Sequence, residues 1–266
     1  MLTDEPASAS TFFSEAAIIV GGGRSEVAVA TVLRYAALGA SRVLLVGRDA
    51  AKGVAVAERV YAESGTLRPE FVAADLLDAD QAAAVAVTAM ERWDRIDVLV
   101  NTVSGGAGPR LLHDIPIQAL QGAVTSQLMA PLHLCRAVLP YMQARGSGAI
   151  VNVASDAGKS PTPGESAIGA AMAAIIMFSR TMAMEAKRNG IRVNVVTPSL
   201  INSTGGYERV QADEFASRLF SKATKLAALG LAEPDDLASL IVYLTGPESA
   251  KLTGQSISVN GGISAL

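Results

Sequence analysis

Ser155 stands two residues after the apolar run Ala149–Val153. Its hydroxyl therefore falls at the mouth of a buried strand, where it can orient a carbonyl oxygen or hydrogen-bond its own loop. Asp156 and Lys159 flank it, either as a new acid/base pair or, the commoner outcome, as a solvated ion pair. His113 and Tyr207 are further groups able to move a proton; in the plainer reading His113 is a surface or packing residue and Tyr207 packs a lid. Arg218, Lys222 and Lys225 lie along one helical segment and could meet an anionic ligand, although a charged outer face is the preferred reading. Cys135 sits in an apolar helical stretch, where a thiol is expected to be buried and inert. With one cysteine and two histidines, His113 and His133, no metal site is expected.

The elements that must position these groups alternate along the chain. Ala16–Val20 is a short apolar run that ends in three glycines, which reads as a buried strand and a tight turn. Glu26–Leu38 has helical periodicity and Gly39 stops it. Strands follow at Arg42–Val46, Glu70–Ala73, Asp97–Val100, Ala149–Val153, Arg192–Val196 and Ser256–Val259. Between them lie helices from Asp49 or Ala50 to about Ser64, at Ala79–Trp93 with Asp78 as cap, and from Ile117 to about Arg145. Pro131 and Pro140 are expected to bend the last of these. Further helices are read at Ser166–Asn189 and Asp235–Leu244. This is the pattern of an α/β fold: one doubly wound, Rossmann-like domain with a seven-stranded, mainly parallel sheet. Residues 1–14 read as a flexible tail, 15–266 as the domain, and about 199–234 as a mobile insertion.

Half the residues are hydrophobic and 18% are charged, enough apolar material for a large core. A net charge of −3 leaves no footprint for nucleic acid or an anionic membrane. The longest uncharged apolar stretch, Ser166 to Ser179, is short for a bilayer span, and the first residues lack a basic signal region. A soluble, cytoplasmic protein is the expectation.

Several motifs occur in a familiar order. They are Val20-Gly21-Gly22-Gly23, Ala74-Asp75-Leu76, Asp97 to Asn101, Ala149 to Ser155, Gly190 to Pro198, and Leu252-Thr253-Gly254-Gln255 with Asn260-Gly261-Gly262. Through them the chain resembles the short-chain dehydrogenase/reductase family over nearly its whole length. The resemblance implies a nicotinamide dinucleotide on the glycine turn, with Gly21, Gly22, Arg48, Asp75 and Asn101 as candidate cofactor contacts. Arg48, just past the second strand, would favour NADP over NAD; its alternative is a solvated loop cation.

The resemblance also implies a catalytic Asn, Ser, Tyr and Lys, and here most of that set is missing. Ser155 matches the serine, but Ile168 stands at the tyrosine position, Met172 at the lysine position and Gln127 at the asparagine position. No tyrosine lies between Tyr141 and Tyr207, and no lysine between Lys159 and Lys187, so an alignment slip does not rescue the pair. The nucleotide turn has Glu26 where the family has its middle glycine, Ala28 for the last glycine, and Asn101-Thr102-Val103-Ser104 for N-N-A-G. A carboxylate at that turn is expected to repel a phosphate by on the order of 1–3 kcal/mol, so that cofactor binding is weakened or lost.

The leading expectation is a non-catalytic subunit in a dimer or tetramer with itself or with an active relative, as in hydroxyacyl-CoA pathways. The apolar helix Ser166–Asn189 would serve the interface or the core. Alternatives are non-redox chemistry (a dehydratase, isomerase, cyclase or hydrolase using Ser155, Asp156, His113 or Tyr207) and an atypical NADP-dependent oxidoreductase. Ile168 and Met172, one helical turn apart, would either fill a dead cleft or line a pocket for an apolar ligand.

Overall fold

Strands buried on both faces read as unbroken apolar runs, because helices cover each side of a parallel sheet. β1 (Ala17–Gly21) and β4 (Val98–Asn101) are buried at every position, and β2 (Arg42–Gly47) and β5 (Gly148–Val153) at all but their ends. With β3 (Glu70–Ala73), β6 (Ile191–Pro198) and β7 (Ser256–Val259) they form a seven-stranded sheet, order β3-β2-β1-β4-β5-β6-β7. Every pairing is parallel. Strand order reverses between β1 and β4, so the carboxyl ends of these strands open the crevice where doubly wound sheets bind ligands. The computed structural model describes residues 8–102 and 108–265, apart from the side chain of Lys222.

The helices are α1 (Ala9–Glu15), α2 (Glu26–Ala37), α3 (Ala50–Ser64), α4 (Ala79–Trp93), α5 (Leu120–Arg145), α6 (Ser166–Ala186), α7 (Gly205–Ala212), α8 (Glu214–Leu226) and α9 (Pro234–Thr245). Side chains placed by sequence start several of them. Ser25 caps α2, Asp49 caps α3 and Asp78 caps α4, each accepting from a first-turn amide. One core lies under α2 and α9, the other under α4, α5 and α6. α5 is continuous through Pro131 and Pro140.

Two expectations need correction. Residues 8–14 are not a loose tail: Ser8 caps α1, and Phe13 is fully buried with its ring 4.9 Å from that of Tyr35. Residues 1–7 lie outside the described residues. The segment 199–234 carries two helices, α7 and α8, tied back by an Ile201–Ala232 bridge. Ala216 and Phe220 bury one side of α8, while Arg218 on its exposed side pairs with Glu214. The helical segment Ser166–Asn189 is long and apolar enough to cross a membrane by length and composition. Here it packs its buried side on α5, β6 and the turn Asp156–Gly158.

Candidate functional site

On the β1–β2 side, the glycines build a backbone turn. Gly22 has φ +79°, and the amides of Gly22 and Gly23 both donate to the Val46 carbonyl at 3.0 Å. A Cβ on Gly23 would lie 2.9 Å from the Cβ of Leu45, so the turn can press on β2 only without a side chain there. Thr102 completes the turn: its hydroxyl bonds the Gly21 and Gly22 carbonyls at 3.0 and 3.2 Å and the Ser25 hydroxyl at 2.8 Å. Val103 and Ser104 lie outside the described residues.

Glu26 does not stand as a bare charge in this turn. Its carboxylate is 3.0 Å from the Arg59 guanidinium on α3, which also bonds Glu63. Glu26 therefore carries a cationic partner beside the N-terminus of α2. Arg24 and Arg48 are exposed and make no ion pair among the described residues. The nearby Asp49 carboxyl is held below its usual range, first by the Lys52 amide and lastly by the charge of Arg24. Asp75 turns one oxygen to the Leu77 amide at 3.1 Å. Asn101 departs from its expected role. It is buried, and its amide donates to Asn152, which donates in turn to Ser179. Its side chain thus ties β4 to β5 rather than facing the nucleotide crevice.

On the β5–β7 side, a cavity of about 840 Å³ brings together Gln127, Ser155, Ile168 and Met172. These four side chains therefore share one space, and Tyr207 lines it from α7. His113 does not line it; its side chain is 77% exposed and lies 3.6 Å from Asp114. Ser155 accepts from the Ala157 amide at 3.2 Å, so it shapes its own loop, and its hydroxyl hydrogen remains able to reach a ligand. Met172 is 5% exposed, embedded with Ala154, Ile175, Ile176 and Val195. A Cβ on Gly158 would meet Met172 backbone at 2.7 Å, so the serine loop rests directly on α6.

Asp156 and Lys159 were expected to be solvated. They are instead a buried pair, 3.3 Å apart, with side chains 7% and 10% exposed. Asp156 also accepts from Ser258 at 2.8 Å, Asn260 at 2.5 Å and Ser264 at 3.2 Å, and Lys159 bonds Ser258 as well. Burial works to raise the Asp156 carboxyl, but bonds from Asn260, Ser258 and Thr197 and the charge of Lys159 outweigh it and hold the group below its usual range. The pair pins the serine loop to β7 and the chain after it.

Glu165 is the site residue that sequence reading missed. It precedes α6 by one residue, lines the cavity, and is pushed up to about 7 by burial, with a hydrogen bond from Thr162 opposing the shift. Its signal in the sequence was an isolated carboxylate one helical turn before Ile168. Among the described residues, no cluster of His, Cys, Asp and Glu could hold a metal ion.

A family profile described as enoyl-(acyl carrier protein) reductase matches residues 23–264. The chain belongs to the short-chain dehydrogenase/reductase family. It is 33% identical over 248 residues to an uncharacterized oxidoreductase of Mycobacterium tuberculosis, covering 93% of this chain and 91% of the relative. It is 31% identical to the 2,3-dihydroxy-2,3-dihydro-p-cumate dehydrogenase of Pseudomonas putida, covering 93% and 94%. Among solved structures it is similar to the NADPH-bound short chain oxidoreductase of Pseudomonas aeruginosa PAO1, described as containing an atypical catalytic center. That likeness has 29% identity, a TM-score of 0.85, and coverage of 96% of this chain and 98% of the other. The sheet order and helix layers are those of a short-chain dehydrogenase.

Proposed function

We propose that this short-chain dehydrogenase homologue is an NADP(H)-linked oxidoreductase acting on a small, largely apolar carbonyl or alcohol through a proton-moving group other than a tyrosine at position 168. The observation that carries this reading is the cavity. Ile168 and Met172 line it without filling it, and about 840 Å³ remains beside Ser155, within the range of ligand sites. The nucleotide side suits a dinucleotide: the glycine turn is formed, Glu26 is paired with Arg59, and Arg24 and Arg48 are exposed and make no ion pair among the described residues, which suits a 2′-phosphate. The NADPH-bound relative with an atypical center lends the reading further support. Reduced nicotinamide would supply hydride to a carbonyl carbon there, while Ser155 would orient the carbonyl oxygen. The test is NADPH oxidation by the purified chain with aliphatic aldehydes and cyclic ketones of about six to twelve carbons, a size suited to such a cavity. Turnover with NADPH supports the reading; absence of both nucleotide binding and turnover overturns it.

A second reading has an observation of its own. Met172 is buried in an apolar cluster, and Met177 and Met184 are each 59% exposed on the outer side of α6. These features suit a non-catalytic subunit that docks through α5 and α6 on an active short-chain dehydrogenase, for example in hydroxyacyl-CoA metabolism. Recovery from its source only as a homo-oligomer would sink that version. Either reading places the chain in the cytoplasm as a dimer or tetramer. The non-redox alternatives lose one of their candidates, because His113 stands outside the cavity.

A further inference from the structure

The cavity contains one carboxylate whose role neither the family pattern nor the fold explains. Glu165 lies at the entry of α6, three residues before Ile168. On a helix, a long side chain leans toward the N-terminus and covers the turn before its own Cα. A phenol at position 168 would therefore project over the turn that Glu165 begins. We infer that Glu165 is the proton-exchanging group of this site, occupying from the preceding turn the region that a phenol at position 168 would serve. This deepens the oxidoreductase reading and rests on it.

The surroundings suit that role. The other charged groups around the cavity are committed elsewhere or reach in from its rim. Asp156 is tied to Lys159, Ser258 and Asn260. Asp213 accepts from the Ala216 amide at 2.7 Å as the cap of α8. Arg110, on the loop before α5, and Arg209, on α7, line the cavity from exposed positions and are not ion-paired to Glu165. The Thr162 hydroxyl works against burial and favours the ionised form of the Glu165 carboxyl. A carboxyl that is neutral just below pH 7 can donate a proton, and one that is ionised just above it can accept one, which matches the need of a general acid/base.

The step balances. A reduced nicotinamide would supply hydride to the carbonyl carbon; as the C–O π pair moves to oxygen, that oxygen takes the proton from the Glu165 carboxyl. The O–H bond breaks at Glu165 and forms at the substrate, and the carboxylate then regains a proton from solvent. In the oxidation direction Glu165 receives the alcohol proton as hydride leaves carbon.

The test has two parts on the full chain. Infrared difference spectroscopy without cofactor should show a protonated carboxyl band that titrates near pH 7 and is absent in Glu165→Gln. Steady-state reduction of the carbonyl panel with NADPH should fall as pH rises through the same midpoint. Glu165→Gln should lower kcat about 100-fold or more, the scale of losing a general acid, with the Kd for NADPH changed less than about twofold. Thr162→Val removes the bond that favours the ionised form, so it should move both midpoints upward and guards against a folding defect in the first variant. A carboxyl band that titrates near an ordinary glutamate value overturns the inference. So does turnover in Glu165→Gln within about threefold of wild type on an unchanged pH profile, a result that leaves the oxidoreductase reading standing. Absence of wild-type turnover overturns both.

Discussion

At the β1–β2 end of the crevice the polar side chains face outward or serve the backbone, whereas at the β5–β7 end they are locked into a buried network. Glu26, Arg59 and Glu63 form a chain of ion pairs whose side chains are all at least 35% exposed. Asp156 and Lys159 form one pair at 10% exposure or less, with Ser258, Asn260 and Ser264 closing around it. A substitution in the first region is expected to be absorbed by solvent, and one in the second to need another buried group in answer. Glu26 thus sits at the turn in an exposed ion pair, while the cavity walled by Ile168 and Met172 carries the Glu165 carboxylate.

The largest effect should come from the buried side. Asp156→Asn leaves Lys159 without its charge partner, and removing one member of a buried pair costs about 3–5 kcal/mol. Calorimetry should show Tm lower by roughly 10 °C for a domain of this size. A drop of only a degree or two would place the pair in effective contact with water and erase the contrast.

Glu165 should give the next effect, as a pH dependence of stability. Its folded pKa, about 7, lies above the ordinary value of 4.5, so the folded chain binds more protons between those values. Its contribution is fully present below pH 4.5 and is lost as pH rises toward 7. Denaturant unfolding should show wild-type stability falling across that window relative to Glu165→Gln, and parallel curves would contradict it.

On the exposed side the effects should be smaller. Arg48→Ala should weaken NADPH binding about 10-fold, as for one charge-assisted bond, and leave NADH within about twofold. Equal losses for both nucleotides would remove the 2′-phosphate assignment. Smallest of all, Glu26→Gln should change stability by less than about 1 kcal/mol and NADPH affinity by less than about threefold, as for an exposed pair. A large gain in affinity would show that the carboxylate does repel phosphate.

The fold was legible because its signals are local and repeated. Apolar runs such as Ala17–Val20 and Val98–Val100 end in glycine or asparagine, and Asp49 and Asp78 announce helix starts. The gathering of Gln127, Ser155, Ile168 and Met172 was legible through motif order. What stayed hidden depends on contacts distant in sequence. Arg59 meets Glu26 across 33 residues, and Asn260 meets Asp156 across 104. No periodicity reports such pairings, so Glu26 read as a bare charge and Asp156–Lys159 as a solvated one. Phe13 was lost in a polar stretch because one buried aromatic leaves no pattern. Glu165 is an ordinary helix-entry residue in sequence, and only the walls of the cavity raise its carboxyl.

The most direct measurement is a titration of the purified chain with NADPH and NADH by calorimetry. The account predicts one NADPH site per chain, held at least 10-fold more tightly than NADH, as expected for a 2′-phosphate met by Arg24 and Arg48. No heat with either nucleotide, at protein concentrations that detect a Kd of about 1 mM, would contradict it.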